Sequence, residues 1–460
     1  MLKSRQMLLM LSAFLFFAAV VSACSGEQLS ESSQAPAGNE PNSETSSSQA
    51  ENYAEAEDVQ EPVKVTAYSY WREFSDDYWK QVLINPVKEK HPHIDLEIII
   101  PKDGNGTNHL KELIVANEAP DLVISDIGTA PGIAELGYNY DMTELVANSD
   151  IDMVHFDQNV LEYIRALDVN GGLITMPYSS NFIALFYNKD IFDRFGQEYP
   201  YDGITFPEVV ELARNLTRTE DNQKYIGFDH NSIHFLAGGI TRDFFDPETG
   251  LANLSTPEWR MAYELLVELI HIPGNRFPGE DDYHITRWHN EAFYRDQYVA
   301  MAGVPNLISA GLQTVPDMNW DMTAYPVFED FPRTAQAAGG RGLFLNPASD
   351  VLEDAFKVIE AALSEENQII ISSNGEQPAL VTERTIEAFC SNLPYTEGKN
   401  VKAAFYNKQN YPTNPTIYDG YAIGIVYNHS LELYQGKDIN TVIRETEEAI
   451  NQKVRELSGQ

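Results

Sequence analysis

The sequence predicts an α/β protein of two lobes, each a mainly parallel sheet flanked by helices. Three observations lead to this prediction. The chain has 460 residues, more than a single hydrophobic core usually holds. From Val63 onward, strand-like and helix-like segments alternate, as they do in parallel sheets. The run from Gly171 to Arg194 then reads as two strands joined by a short polar segment, as expected where a chain passes from one sheet into another.

The first 23 residues have the pattern of a secretion signal. Lys3 and Arg5 precede an apolar core that runs from Met7 to Val21. The segment ends in Val-Ser-Ala before Cys24, which resembles the bacterial lipobox. We therefore expect cleavage before Cys24 and acylation of its thiol, which would anchor the protein to a membrane by lipid. A plain secretory signal cleaved after Ala23 and an uncleaved anchor are the alternatives.

Residues 24–62 form a segment of a different composition. Ser, Glu, Gln, Asn, Ala and Pro dominate from Ser25 to Glu61, and Lys and Arg do not occur there. Such a segment cannot bury enough apolar surface to fold, so it predicts a disordered tether. Cys390 is then the one cysteine left besides Cys24, and its place beside Phe389 predicts a buried thiol that acts as a small apolar group.

The charge balance argues against one class of partner. The chain has 69 acidic and 31 basic side chains, for a formal net charge of −38. This charge repels phosphate backbones, so we expect no binding to nucleic acid.

The first lobe is predicted to open with a β-α-β-α-β unit. A strand from Val63 leads to an amphipathic helix from Ser75 to about Lys90, with Ser75 as its N-cap and a kink at Pro86. A strand over 94–100, a helix over 107–119 and a strand over 121–125 follow.

The crossing between the lobes is predicted at Pro177. Leu173 to Met176 reads as a strand that Pro177 ends, and Phe182 to Tyr187 reads as a second strand. An ordinary buried hairpin is the alternative. Return crossings are predicted near Tyr325-Pro326 and Gln377-Pro378. Lobe 1 would thus comprise 63–176 and 327–376, and lobe 2 would comprise 177–326 and 377–460.

Three of the helices predicted for lobe 2 before the chain returns have an end that the sequence marks. One starts near Thr205 with Pro207 in its first turn, and one is ended by the glycine pair at 238–239. The third is capped by Thr256, with Pro257 at its first position.

The crossing run resembles the signature of extracellular solute-binding proteins of family 1, the sugar-binding components of ABC importers. The matching positions are Pro177, Ser179, Ala184, Leu185, Phe186, Tyr187, Asn188 and Phe192. Tyr178 and Arg194 depart from the signature. The resemblance implies a type II periplasmic-binding-protein-like fold and a lipid-anchored protein on the extracellular face of the membrane. It would capture a carbohydrate, which we interpret as an oligosaccharide, in the cleft between the lobes by hinge closure and deliver it to an ABC permease.

Two other classes of function are alternatives to transport. One is a secreted carbohydrate-active enzyme, because paired carboxylates are plentiful in so acidic a chain. The other is a surface sugar sensor with the same lobes and no permease.

Candidate ligand contacts follow from the rule that ligands bind beyond the carboxyl ends of the strands in open α/β sheets. This rule selects Tyr70, Trp71, Arg72, Ser125, Asp126, Tyr178 and Asn181. Aromatic rings pack on the C–H faces of a pyranose, and the polar side chains hydrogen-bond its hydroxyls. The alternative for Trp71 is that it closes the end of the core.

The resemblance implies further contacts in lobe 2. They lie near Ser232 to Phe235, with His234 and Phe235 as the candidates, at Asn306, and near Tyr418 to Tyr421, with Tyr418 and Tyr421 as the candidates. The family often has an aromatic residue where this chain has Val304-Pro305-Asn306. Trp79, Trp288 and Trp320 are interpreted as core residues.

Motifs of enzymes and metal sites are weak in this sequence. G-x-S-x-G, H-E-x-x-H and G-x-x-x-x-G-K-[ST] do not occur. The run from Asp103 begins like a calcium loop but has Asn108 and Ile114 where an EF-hand needs Gly and Glu. The pairs His91 with His93 and His230 with His234 lack a third ligand. We expect no enzymatic activity, no cofactor, no metal site and a monomer.

Overall fold

The computed structural model describes residues 61–71, 74–102, 106–276, 290–337 and 339–459. The signal segment, Cys24, most of the predicted tether, Arg72 and Trp288 lie outside these residues. The strands are β1 (Val63–Ser69), β2 (Ile94–Ile99), β3 (Leu122–Asp126), β4 (Met176–Ser180), β5 (Ile183–Asn188), β6 (Arg218–Glu220), β7 (Gln223–Asp229), β8 (Val299–Pro305), β9 (Trp320–Ala324), β10 (Thr334–Gln336), β11 (Gly340–Leu345), β12 (Gln377–Pro378) and β13 (Lys408–Asn410).

Helices connect and cover these strands. They are α1 (Asp76–Trp79), α2 (Asn85–Lys90), α3 (Gly106–Val115), α4 (Ala130–Glu135), α5 (Thr143–Ala147), α6 (Gln158–Leu167), α7 (Lys189–Phe195), α8 (Phe206–Leu216), α9 (Ile233–Ala237), α10 (Pro257–Ile270), α11 (Asn290–Tyr294), α12 (Leu307–Ala310), α13 (Leu352–Ala362), α14 (Glu365–Ser373), α15 (Glu383–Ala388), α16 (Asp419–Ser430) and α17 (Ile439–Ser458). None of the described helices is both long and apolar enough to cross a bilayer.

The first sheet belongs to lobe 1. Its strand order within the described residues is β12-β4-β11-β3-β1-β2. Strand β1 pairs in parallel with β2 and with β3, whereas β11 and β12 pair antiparallel with their neighbours. Buried apolar side chains pack on both faces of this sheet, with Val65 in one cluster and Tyr68 in the other. This arrangement buries the sheet between two layers of helices.

The second sheet belongs to lobe 2. Its order is β6-β7-β8-β5-β9, and β7 with β8 is the parallel pair among the described strands. The α/β class, the two lobes and the helices that flank both sheets are as predicted. The prediction of mainly parallel sheets is wrong. Parallel pairing is confined to β1 with its two neighbours in the first sheet and to β7 with β8 in the second, and the other described pairs in these two sheets are antiparallel.

The helix predicted over 75–90 forms with a local change of winding. Ser75 accepts a hydrogen bond from the Tyr78 amide at 3.2 Å, as an N-cap does. Lys80–Ile84 is a π-helical turn that separates α1 from α2. Proline at 86 has no amide hydrogen to donate into the preceding turn, which accounts for an irregular ladder there.

The first crossing falls a few residues later than the sequence indicates. Strand β4 includes Pro177 and continues to Ser180 in the first sheet, and β5 begins at Ile183 in the second. The prediction that Pro177 ends the strand is therefore wrong. The β11 register shifts between Arg341 and Gly342, opposite this strand, and such irregularities are where sheets tolerate proline.

Other local predictions are confirmed. Thr205 and Glu208 form a capping box on α8, and the Thr256 hydroxyl caps α10. Trp79, Trp320 and Cys390 are buried. Desolvation raises the pKa of the Cys390 thiol to about 12, so it is an apolar packing group at neutral pH.

Candidate functional site

Asp126 lies at the carboxyl end of β3, at the edge of the first sheet where the chain crosses. Its Oδ1 accepts a hydrogen bond from the Gly128 amide at 2.8 Å. Gly339, with a φ of +85°, passes so close that an added Cβ would lie 2.9 Å from Asp126 Oδ2. Desolvation raises the pKa of this carboxyl, opposed by hydrogen bonds from Gly128 and Gly340 and by the Arg242 charge. The carboxyl group is thus held in a fixed position and is partly shielded from solvent.

Arg242 approaches from lobe 2. It follows α9, and its Nη1 donates a hydrogen bond to the Ala337 carbonyl oxygen at 2.5 Å. Desolvation lowers the pKa of the guanidinium, while Tyr163, Tyr411 and the carboxylate of Asp126 oppose that shift. Arginine starts from so high a pKa that it stays charged at neutral pH. Arg242 therefore brings a cation from one lobe towards the carboxylate of the other.

Two tyrosines complete this group of residues. The rings of Tyr163, on α6, and Tyr411, after β13, stack with centroids 5.2 Å apart and an interplanar angle of 28°. Desolvation raises the pKa of Tyr163 to about 12 and raises that of Tyr411 as well. Both phenols are therefore neutral at pH 7 and keep their O–H groups as hydrogen-bond donors.

Asp419 begins α16 and adds a second carboxylate. Thr416 donates its hydroxyl to Asp419 Oδ1 at 2.6 Å and its amide to Oδ2 at 3.1 Å. Desolvation raises the pKa of Asp419, with Arg242 acting in the opposite direction. We name Asp126, Tyr163, Arg242, Tyr411 and Asp419 the cleft cluster. It combines charged hydrogen-bonding groups with flat apolar ring faces, which is the chemistry that a polyhydroxylated ring needs.

Tyr70 and Trp71 follow β1 at the same sheet edge. The Tyr70 ring stands edge-on to Tyr68, with centroids 5.7 Å apart and an interplanar angle of 89°. The Trp71 amide donates to Ser69 Oγ at 3.1 Å, and its half-buried ring lies 5.8 Å from the Arg341 guanidinium carbon. Arg72, the third residue predicted here, lies outside the described residues.

Tyr178 occupies a different environment from the one predicted. Its side chain is 0% exposed and belongs to the apolar core of lobe 1. Its hydroxyl donates to the Val82 carbonyl oxygen at 3.1 Å. The prediction of a ligand contact here is wrong for this structure, because the alternation of side chains along β4 directs Tyr178 into the core.

Asn181 and Asn306 meet at the crossing. Asn306 donates from Nδ2 to Asn181 Oδ1 at 2.5 Å, and its Oδ1 accepts from the Phe182 amide at 3.2 Å. Both side chains are half-buried. The structure thus brings together two predicted site residues, but as partners of each other and of the hinge backbone.

The other lobe 2 candidates separate into two places. His234 and Phe235 begin α9, their rings 4.2 Å apart, and the Ser232 hydroxyl lies 2.6 Å from His234 Nδ1. Tyr418 is half-buried beside Phe245, with ring centroids 6.4 Å apart. Tyr421 is 49% exposed, and Lys453 of α17 lies 5.7 Å from its ring. The neighbour of Tyr421 is therefore the last helix rather than a member of the cleft cluster.

Sequence reasoning missed Arg341, the most enclosed cation of this region. It is 8% exposed, and its Nε donates to Ser179 Oγ at 2.9 Å. Its Nη2 is paired with the Glu376 carboxylate. Four aromatic rings surround the guanidinium: Trp71, Phe74, Tyr78 and Tyr178, at 4.7 to 5.8 Å from ring centroid to Cζ. The signal in the sequence is an arginine inside the Gly-Gly-Arg-Gly run that follows the predicted return of the chain to lobe 1.

Tyr163, Arg242, Tyr411 and Asp419 were also missed. Their positions in the sequence are far apart, so no local motif unites them.

Comparison with known proteins gives one family. Residues 64–369 match the family model described as bacterial extracellular solute-binding protein. No curated protein matches the sequence.

Several solved structures share the fold. A sugar transporter protein from Rhizobium etli in an open conformation is 19% identical, with a TM-score of 0.70 over 84% of this chain and 99% of that one. The sugar-binding protein MalE from Xanthomonas citri is 17% identical, with a TM-score of 0.70 over 86% of this chain and 100% of that one. An ABC substrate-binding protein from Listeria monocytogenes, in complex with cycloalternan, is 18% identical, with a TM-score of 0.66 over 86% of this chain and 99% of that one.

Proposed function

The chain belongs to the bacterial extracellular solute-binding proteins, and on this basis we propose that it captures a carbohydrate in the cleft between its lobes. The proposed ligand contacts are the cleft cluster together with Tyr70, Trp71, Asn181, His234, Phe235, Asn306 and Tyr418. Arg72 and Tyr421 stay predictions from the sequence. The solved relatives are described as binding proteins rather than enzymes.

One observation carries the proposal. Arg242 of lobe 2 donates to the Ala337 carbonyl oxygen, and Gly339, two residues further along, lies against the Asp126 carboxylate of lobe 1. The Tyr163 hydroxyl lies beside Gly128, which donates to Asp126, and the Tyr163 ring stacks on Tyr411. Carboxylate and guanidinium groups form strong directional hydrogen bonds with hydroxyls, and the ring faces cover C–H groups. Groups of this kind, drawn from both lobes, suit a ligand that bridges the cleft.

Binding would work by closure of the lobes. A ligand that contacts both lobes in the closed form and one lobe in the open form shifts the population towards closure. The passages of chain between the sheets are the natural hinge, and the first of them spans the two residues between β4 and β5.

The wider role proposed for the protein is that of a lipid-anchored receptor of an ABC importer. The Val-Ser-Ala-Cys run and the polar segment after Cys24 support the anchor and the tether. We propose an oligosaccharide as the ligand and ABC permease subunits as the partners. The cycloalternan carried by the Listeria monocytogenes protein supports an oligosaccharide ligand.

A glycan screen tests the proposal. The full chain is incubated with a panel of labelled mono- and oligosaccharides, and the best binder is then titrated against wild type and Arg242→Met. Methionine keeps the length and apolar stem of arginine but removes its charge and donors. We expect wild type to bind and the variant to lose about tenfold or more in affinity, as for the loss of a charged hydrogen bond. Equal affinity for both proteins would remove the cleft cluster from the site, and turnover of the sugar would point to the enzyme alternative.

A further inference from the structure

A cavity of about 490 Å³ lies beside the strands that connect the two sheets. Its walls come from β4, β12, the start of α6 and the segment from Phe405 to Tyr411. We name it the hinge cavity. Tyr411 lines it and also belongs to the cleft cluster, whereas Asp126, Arg242 and Asp419 are not among its lining residues in the described part of the chain. Its volume is within the range of about 300–1,000 Å³ that is usual for small-molecule sites.

The hinge cavity is lined by hydrogen-bonding groups of both negative and positive charge. Asp157 caps α6 by accepting from the Asn159 amide at 2.9 Å, and the Lys408 charge acts against the desolvation that raises the pKa of this carboxyl. Asn407 Nδ2 donates to the Tyr325 carbonyl oxygen at 2.8 Å. Asn407 Oδ1 is buried and accepts no hydrogen bond from the residues that the structure describes. Because this atom is closed to solvent, the charged groups that a ligand in the cavity would meet are Asp157 and Lys408.

The remaining lining is mixed, with Ser180, Gln377 and Gln409 among its polar members and several apolar side chains beside them. Phe156, Pro177 and Pro378 are buried, and Phe405 is half-buried beside them. The one carboxylate and the one ammonium group of Asp157 and Lys408 cancel in charge, so the cavity has no preference for an ion. A compact neutral molecule with an apolar C–H face and several hydroxyls satisfies these features together. That description is the chemistry of a monosaccharide.

The hinge cavity is also connected to the crossings. Gln409 donates from Nε2 to Ser180 Oγ at 2.9 Å and to Gln377 Oε1 at 2.7 Å. It lies on β13, which pairs with β10 on the second passage of chain between the sheets. Segments of all three crossings therefore line the cavity or pair with residues that line it. A rotation at the hinge must change the shape of the cavity. A molecule that binds the cavity in one hinge conformation would therefore increase the population of that conformation.

We propose that the hinge cavity is a second binding site, for a neutral monosaccharide, which regulates closure of the cleft. The regulatory part rests on the proposed function, because it presupposes that the cleft binds a carbohydrate. By reciprocity, a monosaccharide that changes the cleft's affinity must have its own affinity changed by the same factor when the cleft is filled.

Equilibrium dialysis of the full chain with labelled D-glucose, D-galactose and D-mannose tests the site. The hinge variant combines Asp157→Asn with Lys408→Met. Asparagine caps a helix as well as aspartate does, so α6 should be preserved. The matched control combines Asp438→Asn, at the cap of α17, with Lys402→Met, and neither residue lines the cavity. The cleft variant is Arg242→Met. Circular dichroism and a thermal melt check that each protein folds.

We expect at least one of the three sugars to bind to wild type, the control and the cleft variant, and to bind about tenfold or more weakly to the hinge variant. That sugar should also shift the affinity of the cleft for its oligosaccharide in wild type but not in the hinge variant. If the cleft variant binds none of the three sugars, or the hinge variant binds them as well as the control does, the second site is overturned while the proposed function stands. If the hinge cavity binds its sugar but the cleft binds no carbohydrate, the proposed function is refuted while the second binding site stands.

Discussion

Asn306 and Asn181 are joined by a 2.5 Å hydrogen bond from Nδ2 to Oδ1, which links the end of β8 to the first crossing. Asn306 adopts a left-handed backbone conformation with a φ of +47°, which asparagine tolerates better than most residues. Its Oδ1 also holds the Phe182 amide. One residue therefore sets both the turn after β8 and the start of β5.

Replacement of Asn306 should separate these two contributions. Asn306→Gly loses the hydrogen bonds but accepts the positive φ, whereas Asn306→Ala loses the hydrogen bonds and strains the backbone. We expect the glycine variant to lose about 1–3 kcal/mol of unfolding free energy. The alanine variant should lose about 1–2 kcal/mol more than that. Urea denaturation measures both, and equal losses would show that the left-handed turn carries no strain.

The Arg341–Glu376 pair should behave as a buried ion pair. Its side chains are 9% and 18% exposed, so loss of either partner leaves a charge without compensation. Arg341→Met or Glu376→Gln alone should cost about 3–5 kcal/mol of unfolding free energy. The double variant should cost clearly less than the sum of the two. A double-mutant cycle in urea measures the coupling, and strictly additive losses would contradict the assignment.

The exposed pair Arg214–Glu268 provides a control for that cycle. Its atoms are 2.7 Å apart, but its side chains are 52% and 48% exposed. Its removal should change stability by about 1 kcal/mol or less.

Asp126 should destabilise the fold while it serves the site. Desolvation raises its pKa in the folded protein above the ordinary value of 3.8, so the charged form is disfavoured by folding. This penalty is complete above the folded pKa and vanishes below the unfolded pKa. Asp126→Asn should therefore melt at a higher temperature than wild type at pH 7, and the difference should shrink as the pH falls through that window.

The affinity of this variant for its ligand should decrease at pH 7, whereas its thermal stability should increase. Asp126→Asn should bind the carbohydrate ligand more weakly at pH 7, because a neutral amide replaces a charged acceptor. Thermal melts across pH 3 to 8, run beside ligand titrations, test both statements. A variant that is less stable than wild type at pH 7 would show that the hydrogen bonds to Asp126 outweigh its desolvation.

Local features of the fold could be predicted because short-range chemistry determines them. Thr205 and Glu208 lie three residues apart at a helix start, and Trp79 and Trp320 lie at apolar positions of periodic segments. The strand directions could not be predicted in this way. They depend on which edge of a sheet a returning strand joins, and the residues of β11 and β12 do not encode that locally.

The candidate site shows the same contrast between features that are local in sequence and features that depend on distant segments. Asp126 was found because it ends a strand, whereas Tyr163, Arg242 and Tyr411 come from three distant segments. Tyr178 was misplaced because Pro177 was taken to end the strand, whereas β4 continues to Ser180. Only the assembled sheet shows that the strand continues there and that Tyr178 faces the core.

The anchor can be tested without reference to the folded lobes. Cys24→Ala removes the thiol that would be acylated, while Val21, Ser22 and Ala23 are kept. We expect the variant to be released to the medium or to stay unprocessed, and wild type to be membrane-bound at the mass of the lipidated mature chain. Fractionation and mass spectrometry decide this. A variant found in the membrane at the lipidated mass would refute the anchor.

Trp71 gives the sharpest test of the cleft, because ligand binding and core packing predict different outcomes. If its ring contacts the sugar, Trp71→Ala should cost about 1–3 kcal/mol of binding free energy and leave the melting temperature nearly unchanged. If it closes the core, truncation should cost about 3–5 kcal/mol of unfolding free energy. The ring packs on the lobe 1 core with one part and stays half-exposed with the other, and we expect the exposed part to contact the sugar.

Two further variants calibrate the measurement on Trp71. Trp79→Ala removes a tryptophan that is 1% exposed and shows what loss of a true core residue does to the melting temperature. Trp71→Phe keeps an aromatic face and should restore most of the affinity if ring stacking is the contact. A Trp71→Ala protein that melts as low as Trp79→Ala yet binds as tightly as wild type would place Trp71 in the core. Since affinity and stability are measured on the same proteins, a general loss of folding cannot be mistaken for the loss of a sugar contact.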